Sequence, residues 1–328
     1  MTIKFNNVYV ENVSTVAGPF VIEGPLKDNF DKKFTDFYDG EKTFEKCEMK
    51  ELRESIKILL DKTKYNEEDI SFGISADLMN QLTISNFVYS NLSIPFLGVY
   101  NACASVCEEI LIAASILENE KNKKAICTTS SHNMTSERQF RNPVEYGAPK
   151  PKTTTFTVTG AASLMLTNAK TDIKVTSATI GKVIDMGVDN VFDMGAVMSP
   201  SAAYTLNEHL KQTKTKVSDY DLILTGDLGV YGKDIFKEIC EKEYNIKLDK
   251  NYDDTATMIY DYKENIYAGG SGPACMPLVV YSSIIPKMKQ RIIKKVLLIA
   301  TGALMSPTTC NQKFSIPSVS HAVCLEVI

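Results

Sequence analysis

Residues 98–110, GVYNACASVCEEI, decide the fold of this chain, because they describe a turn that delivers a cysteine into a buried helix. Apolar residues recur at positions 103, 106, 107, 110, 111, 114 and 117, which is helical spacing. Asn101 is the predicted N-cap of this helix. The positive end of the helix dipole would favour a thiolate at Cys103. The alternative is a small core thiol, since free cysteine is among the most buried residue types.

The composition is that of an ordinary globular protein. Hydrophobic residues make up 44% of the 328 residues, charged residues make up 23%, and the net charge is −4, so a nucleic-acid partner is not expected. The eight cysteines include no pair with CxxC spacing and there are three histidines, so we expect no structural metal site. Reduced, mostly buried thiols indicate a cytoplasm-like compartment.

No targeting segment is evident in the sequence. No stretch approaches the ~20 apolar residues of a membrane span. Residues 1–11 lack an apolar signal-peptide core. We therefore expect the protein to be made in the cytoplasm.

The second part of the chain repeats the first. Residues 219–228 align with residues 69–78, each a short strand followed by a small residue, Asp and Leu. Residues 294–302 likewise align with the buried strand of residues 123–131. Matching elements at matching spacing predict two halves with one topology, residues 1–170 and 171–328. Alternating strands and helices of this length predict a mainly parallel sheet.

Several short motifs together resemble the stage V sporulation protein AD family, a branch of the thiolases and ketoacyl synthases. The resemblance covers nearly the whole chain. It rests on Asn12-Val13 with Gly24-Pro25-Leu26, Gly73-Ile74-Ser75-Ala76-Asp77-Leu78, Tyr100-Asn101-Ala102-Cys103-Ala104-Ser105, Ser130-Ser131-His132-Asn133 and Tyr267-Ala268-Gly269-Gly270-Ser271-Gly272.

The resemblance implies an α/β fold of the thiolase-like type, with five layers, αβαβα, and two topologically similar halves. A pocket would lie between the halves at the carboxyl ends of the strands. Asp77, Cys103 and His132 would converge there, because each lies at a strand end or at the start of the central helix.

Condensing enzymes of this superfamily place a His after one second-half strand and a His or Asn in the following Gly-rich turn. This chain resembles them in position but carries Asp227 and Gly269-Gly270 there. A carboxylate beside a thiol opposes the thiolate, because like charges repel. His321 is a substitute base, and it keeps a cysteine-dependent acyltransferase open as the alternative function.

The family resemblance implies instead a protein without catalysis that binds dipicolinic acid, free or as its calcium chelate. Its partners would be membrane proteins that load the acid into the developing spore, with the chain itself at the spore inner membrane. A third interpretation is a structural subunit with a vestigial pocket. The expected ligand-binding residues are Asp77, Cys103, His132, Asp227, His321, Arg138 and Arg141.

Three of these residues have expected roles of their own. His132 would be protonated beside the bound dianion. Asp77 and Asp227 could contact chelated calcium, which takes oxygen ligands.

Relatives of this fold are commonly dimers, and a strand such as Thr155 to Leu166 could pair two copies.

Overall fold

The computed structural model describes residues 1–140, 150–261 and 266–328. The strands before residue 170 are β1 (Thr2–Lys4), β2 (Tyr9–Ala17), β3 (Lys32–Lys33), β4 (Phe72–Ala76), β5 (Phe96–Gly98), β6 (Lys124–Ser131), β7 (Phe156–Thr157) and β8 (Gly160–Thr167). The later strands are β9 (Ile173–Thr179), β10 (Leu222–Thr225), β11 (Tyr252–Asp254), β12 (Gly270–Ser271), β13 (Lys295–Ala303) and β14 (Ser318–Val327).

One large sheet of twelve strands contains two runs of five strands with the same order, which we call the first and second sheets, while β1 pairs with β9 and β3 with β2. The first runs β5-β4-β6-β8-β2 and the second runs β11-β10-β13-β14-β9. They are joined where β2 pairs with β9, through Tyr9 with Lys174 and Val10 with Ile173. The repeated topology expected from the sequence is therefore present. Residues 1–170 and 171–328 as separate units stay a prediction.

Each sheet is mixed, whereas the sequence predicted a mainly parallel sheet. Strands β4, β5 and β6 are parallel to one another, but β8 runs antiparallel to both β6 and β2. The second sheet repeats this pattern with β14 between β13 and β9. In their described residues the connections into β8 and β14 contain short helices, and an antiparallel neighbour does not require a long crossover helix.

The helices form the other three layers of the molecule. They are α1 (Phe44–Thr63), α2 (Thr83–Tyr89), α3 (Ser105–Leu117), α4 (Asn133–Phe140), α5 (Met194–Thr213), α6 (Gly229–Tyr244), α7 (Ala256–Ile259), α8 (Cys275–Val279), α9 (Ile285–Lys289) and α10 (Pro307–Asn311). A π-helical turn, Val280–Ile284, joins α8 to α9.

Four apolar clusters hold the layers together, three large ones and a small one of Val16, Phe34 and Cys47. The central cluster includes Ile110 of α3, Leu278 of α8 and Leu298 of β13, so both sheets pack on the same two helical segments. One outer cluster packs α1 and α2 on the first sheet, and another packs α5 and α6 on the second. The five-layer αβαβα arrangement expected from the resemblance follows from these contacts.

The strand proposed to pair two copies lies inside the sheet. Residues 155–166 cover β7 and most of β8, and β8 is hydrogen-bonded to β2 on one side and to β6 on the other. A strand with both edges occupied cannot accept a further strand. Pairing through this strand is therefore wrong, and the outermost strands of the large sheet are β5 and β11.

In the part of the chain that the structure describes, no helix has both the length and the apolar character needed to cross a membrane.

Candidate functional site

Cys103 lies in a tight turn ahead of α3. The turn is a 3-10 helix, Ala102–Ala104, and Ala102 has a φ of 48°, which is left-handed. Ser105 stabilises it, because its Oγ donates to the carbonyl of Ala102 (2.8 Å) and accepts from the backbone N–H of Asn101 (3.0 Å). Asn101 is the N-cap residue of this turn, as predicted, but its side chain makes no capping hydrogen bond. Serine supplies the local hydrogen bonds instead.

A narrow cavity of about 50 Å³ opens beside Cys103, between the two halves. The apolar side chains around it include Met194, Met198 and Met305, and its polar groups are mainly hydroxyls. The lining consists of Leu78, Tyr100, Ala102, Cys103, Ser136, Phe140, Thr157, Met194, Met198, Ser271, Gly272, Ala303 and Met305.

Asp227 lies next to Cys103 but is not among the residues that line this cavity. Its buried carboxyl accepts a hydrogen bond from the backbone N–H of Gly272 (2.7 Å) and is hydrogen-bonded to the thiols of Cys103 and Cys275. Burial raises the pKa of Asp227 to about 8, and the nearby charge of Asp254 also raises it. At neutral pH this carboxyl therefore mostly carries a proton.

Gly272 can make that contact because it lacks a side chain. Its φ is 104°, and a Cβ atom there would lie 2.7 Å from Ser131 Oγ. The Gly-rich turn therefore places the backbone N–H of Gly272 against the carboxyl of Asp227. Condensing enzymes carry a His or Asn side chain in this turn.

Asp254 fixes the turn that carries Asp227. It accepts hydrogen bonds from Thr225 Oγ1 (2.7 Å) and from the backbone N–H groups of Leu228 (3.3 Å) and Gly229 (3.0 Å). Burial raises the pKa of Asp254 to about 6.

Asp77, the first-half counterpart of Asp227, is engaged elsewhere. Its two carboxylate oxygens accept from the backbone N–H groups of Met79 (2.9 Å) and Ser85 (2.8 Å), and from Ser85 Oγ (2.7 Å). Burial raises its pKa. These bonds tie the first turns of α2 to β4, and Asp77 is not among the residues that line the cavity.

His132 is buried in an aromatic cluster under α1. Its ring packs against Phe37 and Phe44, with both centroids at 5.5 Å, and Nε2 lies 3.0 Å from the carbonyl oxygen of Phe37. Burial lowers the pKa of His132 to about 4. The ring is therefore neutral between pH 6 and 8 and lies outside the cavity lining, which differs from the expected cation beside Cys103.

His321 lies behind the turn that carries Cys103. Its Nδ1 accepts from the backbone N–H of Gly181 (3.2 Å), and its Nε2 lies 3.2 Å from the side-chain amide of Asn101. Burial lowers the pKa of His321 to about 4. With both ring nitrogens engaged in packing this turn, His321 has no free lone pair for a general base.

Of the two expected arginines, Arg138 lies among the described residues and Arg141 does not. Arg138 forms an ion pair with Glu45 at the surface and is not part of the cavity lining. Arg141 lies outside the described residues. Of the seven expected ligand-binding residues, Cys103 lines the described cavity, and Asp227 is hydrogen-bonded to its thiol without lining the cavity itself.

Three residues near the cavity were missing from the sequence prediction. Cys275 is also hydrogen-bonded to the carboxyl of Asp227. The internal repeat was the sequence signal for Cys275, because this residue begins the second-half helix as Cys103 begins the first. Asp254 is the last residue of β11, and its position at the carboxyl end of a strand was the sequence signal that could have identified it. Ser136 Oγ is buried on the cavity wall and has no hydrogen-bond partner among the described residues, and nothing in the sequence singles it out.

Solved structures of two bacterial proteins resemble this chain in fold. A variant of OleA from Xanthomonas campestris superposes with a TM-score of 0.62 at 14% identity and covers 98% of this chain and 97% of its own. The 3-oxoacyl-[acyl-carrier-protein] synthase III of Aquifex aeolicus VF5 gives a TM-score of 0.53 at 14% identity and covers 98% and 99%. At this identity the likeness concerns the thiolase fold.

Sequence comparison gives a closer relation. Stage V sporulation protein AD of Bacillus subtilis (strain 168) is 40% identical over 319 residues, which cover 97% of this chain and 94% of that protein. The family model for stage V sporulation protein AD matches residues 1–326. With a match that spans both sheets and the Cys103 turn, the chain belongs to the stage V sporulation protein AD family.

Proposed function

We propose that this chain binds dipicolinic acid in the Cys103 cavity during spore formation and performs no acyl transfer. The observation that carries the proposal is the position of Asp227, a buried and mostly protonated carboxyl shared by two thiols.

Acyl transfer through a cysteine requires a base for the thiol and donors for the developing oxyanion. Asp227 meets neither need, because its ionised form would oppose a second negative charge on Cys103. It also accepts the Gly272 N–H that could otherwise face an oxyanion. His321, the substitute base, has both nitrogens engaged and is neutral.

The cavity wall suits a flat aromatic ring with oxygen atoms at its rim. Methionine sulfurs make favourable contacts with aromatic rings, and flexible Met194, Met198 and Met305 can widen the small cavity around one. Hydroxyl groups donate hydrogen bonds to carboxylates. The Oγ of Ser136 has no hydrogen-bond partner among the described residues, and the hydroxyls of Tyr100, Thr157 and Ser271 line the same cavity.

The charge of the ligand sets a further condition. No cationic side chain is part of the described cavity lining, so the hydroxyls carry the attraction and the proton on Asp227 removes a repulsion. Calcium bound by the ligand's own carboxylates would lower its charge and strengthen this fit. We include membrane proteins of the spore as partners in the proposal, with the acid passing through them.

Titration calorimetry with dipicolinic acid, with and without calcium, tests the binding. Ser136→Ala should weaken binding by about 0.5–1.5 kcal/mol, the net value of one hydrogen bond. The exposed Ser90→Ala is the matched control and should leave affinity unchanged. No heat of binding in either condition would contradict the proposal.

Intact-mass spectrometry after incubation with acyl-CoA tests the absence of acyl transfer. We expect an unmodified Cys103. Stoichiometric acylation that Cys103→Ser removes would establish the acyltransferase alternative instead.

A further inference from the structure

A wide groove lies on the outer face of the second half, and it shares no residue with the Cys103 cavity. We call it the second-half groove. It has a volume of about 790 Å³ and runs between the C-terminal ends of α5 and α6. It is lined by Asn207, Leu210, Lys211, Thr215, Lys216, Val217, Ser218, Tyr244, Asn245, Ile246, Lys247, Asp249, Lys250 and Asn251.

The duplication of the fold provides a counterpart, the first-half groove, beside the C-terminal end of α1. Helices α1 and α5 both contain 20 residues, and both end at a lysine in the left-handed conformation, Lys64 and Lys214. The first-half groove has a volume of about 410 Å³ and is lined by Arg53, Ile56, Lys57, Leu60, Asp61, Tyr65, Asn66, Glu67, Asn91 and Leu92.

The two grooves differ in charge. In the first, two cations face two carboxylates. In the second, Lys211, Lys216, Lys247 and Lys250 face only Asp249. Lysines at a helix C-terminus compensate the helix dipole, but that reason applies equally to both halves. It does not explain three lysines placed in the loops beyond the helices.

The loop after α1 carries a carboxylate at a position where the loop after α5 has an apolar side chain. In the first half Glu67 accepts the backbone N–H of Ser93 (2.6 Å), so a carboxylate of the chain itself bridges the groove. The equivalent residue in the second half is Val217, which follows Lys216 as Glu67 follows Asn66. Among the described residues, none of the four groove lysines makes an ion pair.

The groove also has an apolar part. Leu210 is buried, and Val217, Tyr244 and Ile246 are partly exposed. A ligand that uses the whole groove therefore carries both negative charge and apolar side chains. A flat membrane surface cannot enter a concave groove, and a chain of net charge −4 lacks the extended basic surface that nucleic acid requires.

We propose that the second-half groove binds an acidic segment of a partner polypeptide. Carboxylates of that segment pair with Lys216, Lys247 and Lys250, and one carboxylate takes the place that Glu67 fills in the first half. An apolar side chain of the segment packs on Val217 and Ile246. The chain thus has a protein-docking surface on the face away from its ligand cavity.

Fluorescence anisotropy with a labelled peptide of repeated Glu-Glu-Leu tests the proposal, with a Gln-Gln-Leu peptide as its neutral control. We expect saturable binding of the acidic peptide alone. The combined change Lys216→Glu, Lys247→Glu and Lys250→Glu should weaken it at least about tenfold, because like charges then face each other.

The matched control reverses three cations of the first half, Arg53→Glu, Lys57→Glu and Lys64→Glu, with the same change in net charge. It should alter affinity less than about twofold, since exposed charges farther than a Debye length are screened. Equal weakening by both variants would mean unspecific attraction and would overturn the proposal, and so would the absence of saturable binding. Inorganic phosphate and anionic vesicles are tested in parallel, and binding of either one without the peptide also overturns it.

Discussion

Asp227 gives Cys103 surroundings that differ from those of a nucleophilic cysteine. Its carboxyl lies against two thiols and one backbone N–H, and burial keeps it mostly protonated at neutral pH. A nucleophile needs the opposite environment, in which positive charge stabilises the thiolate. The same proton makes the site tolerant of an anionic ligand.

Dipicolinate affinity should depend on pH through Asp227. The dianion binds best while Asp227 is protonated, so affinity should be constant from pH 6 to 7 and fall as the pH rises through about 8. The fall approaches tenfold per pH unit at most, because one proton is taken up. Asp227→Asn should abolish this dependence in calorimetry at pH 6 to 9, while the exposed Asp61→Asn retains it. A dependence that survives Asp227→Asn would show that another group titrates.

Buried Glu48 should make the stability of the protein fall with rising pH. Burial raises its pKa to about 8, and it accepts hydrogen bonds from Ser130 and Thr135. The unfolded chain loses this proton near pH 4.5. Between pH 4.5 and about 8 the folded state therefore binds more protons than the unfolded chain. Its contribution is complete below pH 4.5 and is lost as the pH rises through about 8, with a slope of about 1.4 kcal/mol per pH unit.

Urea unfolding at pH 5, 6, 7 and 8 measures that slope. Glu48→Gln should make it shallower by about 1.4 kcal/mol per pH unit, because the amide has no proton to lose. An unchanged slope would mean that Glu48 ionises without cost in the folded protein.

Strand-end positions in the sequence identified the right segments but not where their side chains point. Asp77 and His132 were predicted at the pocket because each follows a strand. The structure directs Asp77 to the start of α2 and His132 to the aromatic cluster under α1. A residue just past a strand can turn towards either face of the sheet, and the bonds that decide it come from elements distant in sequence. Cys103 and Asp227 were predictable because the helix start and the repeat fix their positions.

At the scale of elements, β5 presents an open edge. Among the described strands it pairs only with β4, and the exposed Leu97 on it lies close to exposed Phe87 and Tyr100 in sequence. Open edges beside apolar side chains are sites of strand pairing between chains. We propose that two copies pair there.

Leu97→Lys should weaken such a dimer at least about tenfold, since a charge would enter the centre of the interface. Light scattering over a range of concentrations would measure the change, and Ile292→Lys, at another exposed aliphatic residue, is the control. A protein that is monomeric at all concentrations would contradict this pairing.

The whole molecule has one central layer that both sheets need. Helix α3 belongs to the first half but packs on β13 and β14 of the second as well as on β6. Removing either half would expose the apolar faces of the central cluster. The repeat, which the sequence revealed, therefore predicts topology without predicting independent stability.

We expect the full chain to unfold in one cooperative transition. Circular dichroism and tyrosine fluorescence should give coincident curves in urea, and residues 1–170 alone should lack a cooperative transition. Two separated transitions in the full chain would contradict a shared core.

Helices α1 and α5 are 20 residues each and begin 150 positions apart. The chain can therefore be compared with itself, position by position. A feature present in both halves follows from their common fold, whereas a feature confined to one half calls for a separate explanation. Glu67 and Val217 occupy equivalent positions, and Lys216 stands where the first half has Asn66.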